Sequence, residues 1–101
     1  MSFDPRTIRI GEILIYASML SKPDLEEALD IATQTGQMIG EVLKRSGFVT
    51  DEQLKVALKA QEQMRKGNLT LDAAISTLHL AVKYHITFEQ AASQLGYTTI
   101  R

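Results

Sequence analysis

Residues 10–14 read Ile10-Gly11-Glu12-Ile13-Leu14, and twenty-nine positions later the chain reads Ile39-Gly40-Glu41-Val42-Leu43. Working outward at the same offset, Leu25 meets Leu54, Ala28 meets Ala57, Leu29 meets Leu58 and Gln34 meets Gln63. Eight identities fall within residues 9–34 without a gap, where ordinary composition gives about two by chance. Ile13 with Val42, Leu20 with Val49 and Ser21 with Thr50 add near-identities. The chain is a tandem repeat, which must be recognised before any other feature is weighed.

Each copy reads as helix, link, helix. Ile10, Ile13, Leu14 and Ala17 recur at spacings of three and four, a helical stripe that predicts a helix over about 6–17. Its counterpart is predicted over about 37–45, with Met38, Val42 and Leu43, and stops near Gly47. Met19-Leu20 and Phe48-Val49 are short apolar links. Ser21 and Thr50 follow as N-caps, whose hydroxyls accept from free N–H groups of the first turn. Gln53 completes a capping box with Thr50, and Asp24 is a weaker equivalent for Ser21. Acidic residues crowd both helix starts, as the helix dipole favours. These second helices end at Gly36 and Gly67. Repeat one is bounded at 9–36 and repeat two at 38–66.

Residues 68–101 form a different helical extension. Asn68 or Thr70 opens a helix over about 71–84, and Thr87 with Gln90 opens a short one over about 88–95 that stops at Gly96. No stretch alternates with period two long enough for a strand. The expected fold is all-α, about six helices in three hairpins, in one domain over 1–101. Leu14, Leu25, Leu29, Leu43, Leu54 and Leu58 are the expected buried leucines.

Composition narrows the function. The chain of 101 residues is 45% hydrophobic and 23% charged, ordinary for a globular domain. Eleven basic against twelve acidic side chains leave net −1, so no global field draws it to nucleic acid or an acidic membrane. A DNA-binding helix-turn-helix is disfavoured by that balance and by the acidic helix starts, and no DNA partner is expected. The absence of cysteine excludes disulfides, thiolate metal sites and Cys nucleophiles. The longest apolar run, Ile13-Leu14-Ile15-Tyr16-Ala17, is far short of the ~20 residues that span a bilayer, so no direct membrane insertion is expected. Met1-Ser2-Phe3-Asp4-Pro5-Arg6 lacks the pattern of a signal peptide, which makes a cytoplasmic location the expectation.

Chemistry-bearing residues are sparse. His79 and His85 stand six apart and do not make the i, i+4 pair that binds zinc; His79 reads as partly exposed and His85 as a helix-end residue. Glu26, Glu27 and Asp30 read as a solvated helix face. No phosphate-cradling loop is present. Neither an enzyme, a metal nor a cofactor is expected. Gly11 and Gly40 lie within helical patterns, where glycine costs about 1 kcal/mol against alanine. Either close helix packing or a flat ligand approaching the backbone accounts for them. Arg9 opposes the dipole of the helix it starts. It suits a stacked base or a phosphate, or an ion pair with Glu12 or Asp4.

The pattern Arg9-Ile10-Gly11-x-x-Leu14-Ile15-x-x-Ser18-Met19-Leu20-x4-Leu25-x3-Leu29 resembles the repeated motif of the MshEN-type N-terminal domains of bacterial type II secretion and type IV pilus assembly ATPases. The second copy is Met38-Ile39-Gly40-x-x-Leu43-x3-Gly47-Phe48-Val49-x4-Leu54-x3-Leu58-x2-Gln61. The resemblance covers residues 9–61 and leaves no room for the ATPase itself. It implies a non-catalytic regulatory module that binds cyclic di-GMP or docks onto a protein partner, a secretion, pilus or signalling component. The ligand residues it implies are Arg9, Gly11, Gly40 and Gln61, over an apolar floor of Ile10, Leu14, Ile39 and Leu43. Three positions depart from the family pattern: Ser18 stands for Gly, Ala32 for Gln and Met38 for Arg. One lost Arg contact costs roughly 1.5–3 kcal/mol, tenfold to over a hundredfold in affinity. Two readings follow, a cyclic di-GMP sensor and a protein adaptor without a small ligand.

Overall fold

The computed structural model describes residues 8–97, and all their regular structure is helical. In chain order the helices are α1 (Ile10–Tyr16), α2 (Lys22–Thr35), α3 (Ile39–Arg45), α4 (Asp51–Arg65), α5 (Leu71–Tyr84) and α6 (Phe88–Gln94). The bounds of α1 moved on by twenty-nine positions are the bounds of α3, and the start of α2 moved likewise is the start of α4.

Local chemistry sets these boundaries. Ser21, Thr50, Thr70 and Thr87 are N-caps whose side chains accept from the backbone N–H three residues on. Gln53 and Gln90 return the bond to the cap N–H at 2.9 and 3.0 Å, closing two capping boxes. Five helices end alike. Ser18, Gly47, Gly67, His85 and Gly96 take left-handed backbone, and the following N–H reaches the carbonyl five residues back, from Met19 to Leu14 through Tyr97 to Ala92. This closure satisfies the last carbonyls of a helix. Three links then repeat one device: Leu20, Val49 and Leu69 are buried just before the capping hydroxyl, pinning the chain to the core as it turns.

Several expectations are corrected. The first helix begins at Ile10 rather than near position 6, because Arg9 is its N-cap in extended backbone; positions 6 and 7 lie outside the described residues. Likewise Met38 is the extended N-cap of α3. Gly11 and Gly40 are therefore second helical residues, where the N–H has no intrahelical partner in any case. The first four helices do not form two separate hairpins, since α1 packs mainly on α4 and α2 on α3. The largest helix contact is α4 with α5, followed by α5 with α6. The molecule is 42 × 33 × 20 Å, two helix diameters at its thinnest.

Leu29 and Leu58, expected in the core, are 46% and 47% exposed, and Leu25 is partly exposed. Ala28 and Ala57 are fully buried in their place. The helices approach through these small side chains, which turns the next residue about 100° away from the core. Leu14, Leu43, Leu78, Met64, Ile13 and Phe88 form the packed centre.

Candidate functional site

A cavity of about 450 Å³ opens between α1, α2 and the start of α3, lined by Arg9, Ile10, Gly11, Glu12, Leu25, Leu29 and Ile39. Three local features build it. The Arg9 N–H donates to Glu12 Oε1 at 3.0 Å, which fixes the first turn of α1 and holds the Glu12 carboxylate at the rim. The Arg9 side chain is exposed, and no ion pair joins it to a carboxylate among the described residues. Leu25 lies against Gly11: a Cβ on Gly11 would stand 2.7 Å from Leu25 Cδ1 and 3.0 Å from Cδ2. Carbon atoms in contact prefer about 3.5–4.0 Å, so the close approach that requires glycine here is made by the protein's own leucine. At Gly40 the same construction meets Leu54 at 3.5 Å, an ordinary contact.

The eight residues singled out in the sequence divide accordingly. Arg9, Ile10, Gly11 and Ile39 meet at the cavity. Gly40 is partly buried beside Leu54. Leu14 and Leu43 have no exposed surface and belong to the packed centre. Gln61 is buried, and its Nε2 donates to the Ile8 carbonyl at 3.1 Å, tying the strand-like entry to α1 onto α4. Glu12, Leu25 and Leu29 also line the cavity. Their signal in the sequence was the repeat itself: Glu12 recurs as Glu41, and both leucines follow the offset.

The histidines have other partners. His79 Nε2 lies 2.7 Å from the Ala17 carbonyl oxygen, at the end of α1. His85 Nδ1 lies 3.0 Å from the Glu52 carboxylate. A second cavity, of about 430 Å³, sits between α4 and the α5–α6 joint over Val56, Ile86 and Phe88. Its charges are largely paired internally, Glu52 with His85 and Lys59 with Glu89 at 3.3 Å. Among the described residues no cluster of three or more His, Asp or Glu side chains could hold a metal, and no helix is long and apolar enough to cross a membrane.

Comparison of the chain with protein-family models, curated proteins and solved structures returns no match.

Proposed function

We propose that this chain is a non-catalytic interaction module that receives its partner at the α1–α2–α3 cavity. One observation carries the reading: apolar side chains stay in water around that cavity. Leu29 is half exposed and Met38, beside Ile39, is 79% exposed, although the same helices bury their alanines. Grouped exposed apolar residues beside a concavity mark contact sites. The partner in this reading is a cytoplasmic protein of a secretion, pilus or signalling system, as the sequence resemblance implies.

Arg9 favours a second reading, cyclic di-GMP in the same cavity. Its exposed guanidinium stands at the edge of an apolar floor, a combination that suits a guanine face and a phosphate. Against it, the amide of Gln61 is committed to the Ile8 carbonyl, and no second arginine stands at Met38.

Calorimetric titration with cyclic di-GMP separates the two. The dinucleotide reading expects saturable heat, its loss in Arg9→Ala with Tm nearly unchanged, and tighter binding in Met38→Arg. No heat in the wild type or in Met38→Arg ends that reading and leaves the protein-docking module.

A further inference from the structure

The charge pattern beside the cavity specifies what kind of partner fits it. Helix α2 carries Asp24, Glu26, Glu27 and Asp30 against the single base Lys22. Every carboxylate of α3, α4 and α6 has a basic partner: Glu41 with Lys44 and Arg45, Asp51 with Lys44, Glu52 with His85, Glu62 with Lys66, and Glu89 with Lys59. Among the described residues, none of the four on α2 does. Asp24 benefits from the helix N-terminus, but Glu26 and Asp30 lie beyond the first turn, and as a like-charged i, i+4 pair they oppose the helix they sit on.

Their placement relative to the cavity is decisive. At about 100° per residue, Glu26 lies about 60° and Asp30 about 100° around α2 from Leu29, whereas Glu27 lies about 160° away. Leu29 lines the cavity, so Glu26 and Asp30 form the flank that adjoins it. The opposite rim carries Arg9 and Glu12, whose charges offset each other. The result is an apolar trough with one uncompensated acidic bank.

We infer that this trough is the docking site for a basic amphipathic helix of a partner protein. The apolar face of the partner enters the cavity over Leu25, Leu29 and Ile39, and its lysines or arginines meet Glu26 and Asp30. This is helix-in-groove recognition with charge complementarity supplying orientation and specificity. The inference rests on the interaction-module reading and names the chemistry of the partner. It also gives Arg9 the opposite sign from the dinucleotide reading, because a cation at the rim repels a basic helix.

The test uses the full chain and a synthetic peptide of two Leu-Lys-Lys-Leu-Leu-Lys-Leu heptads, with a Glu-for-Lys counterpart. Binding is followed by fluorescence anisotropy and mapped by amide chemical shifts. The Lys peptide should bind saturably, shift the amides of Gly11, Leu29 and Ile39, and weaken as salt is raised. Glu26→Lys with Asp30→Lys should weaken it at least about tenfold, each reversal removing an attraction and adding a repulsion. Glu27→Lys changes net charge by the same amount per site but should weaken it less than about threefold, because it faces away from the trough. Arg9→Ala should leave peptide affinity unchanged or raise it. Unchanged circular dichroism verifies folding, and the milder pair Glu26→Gln with Asp30→Asn replaces the reversals should these unfold the helix. Equal weakening by Glu27→Lys, equal binding of the Glu peptide, or no saturable binding overturns the inference. Self-association of the chain that Leu29→Ala abolishes also overturns it, by placing a second copy in the trough. Loss of peptide binding with retained cyclic di-GMP binding overturns this inference alone; loss of both refutes the cavity as a contact site for either class.

Discussion

Gly11→Ala and Gly40→Ala place the same substitution at equivalent positions of two copies, and they should change stability in opposite directions. Both glycines are second residues of seven-residue helices. Neither has the positive φ at which a side chain is strained. In each case alanine reduces the conformational freedom of the unfolded chain, a gain of about 0.4–1 kcal/mol. At Gly40 the new Cβ meets Leu54 at 3.5 Å, so the gain should appear almost whole. At Gly11 it would stand 2.7 Å from Leu25 Cδ1, about 1 Å inside normal contact. Leu25 must leave its rotamer or α1 must lift, and overpacking of this kind costs about 1–3 kcal/mol. The contact is with the tip of a partly exposed leucine, which places the cost toward the lower end. Gly11→Ala should therefore lose about 0.5–2 kcal/mol, and the two variants should differ by about 1–3 kcal/mol. In a domain of this size the difference separates their Tm values by at least about 4 °C. Urea and thermal denaturation followed by circular dichroism measure it. A cycle with Leu25→Ala attributes it, because shortening that side chain should abolish the penalty. Equal stabilities, or a Gly11→Ala penalty that persists with Leu25→Ala, would refute the packing account.

Three further outcomes follow from the geometry. Ser18 holds φ of 60°, where the other copy has Gly47 at φ 75°; Ser18→Gly should stabilise by about 0.5–1 kcal/mol and Gly47→Ala should destabilise by about 1 kcal/mol in equilibrium unfolding. Leu43→Ala, at a site with no exposure, should cost about 2–5 kcal/mol, while Leu29→Ala and Leu58→Ala, at half-exposed sites, should each cost under about 1.5 kcal/mol by the same assay. Gln61→Ala should cost about 1–3 kcal/mol by leaving the Ile8 carbonyl without its buried donor, and hydrogen exchange should show the first turn of α1 loosened more than α5; uniform loosening would count against the tie.

Much of the candidate site was legible in the residues, but its membership was not. Arg9, Ile10, Gly11 and Ile39 stand out because they belong to a motif read twice, and the fold brings these four to one cavity. Leu14 and Leu43 belong to the same motif and lie in the packed centre. A helical stripe identifies an apolar sector, not which edge of it remains in water. Leu29 shows the limit: Ala28 and Leu29 are adjacent apolar residues, and hydrophobicity alone favours the larger one inside. The close approach of neighbouring helices selects the alanine instead.

The sequence by itself determined the helices and their ends. Each signal lies within about five residues: a hydroxyl that accepts from the N–H three positions on, and a glycine whose left-handed backbone lets the next N–H reach back to close the helix. Such bonds form wherever the local residues permit, so Ser21, Thr50 and Thr87 could be read as caps without a structure. Ser18 and His85, the two non-glycines in left-handed backbone, carried no such advertisement. Only the tertiary structure decided how the helices pair. That α1 seats on α4 and α2 on α3, and that Gln61 holds a carbonyl fifty-three positions away, depend on contacts formed across the chain. Helices of two and four turns can bury their stripes in more than one arrangement, and the arrangement that packs alanine against its neighbours leaves Leu29 and the acidic bank of α2 facing outward.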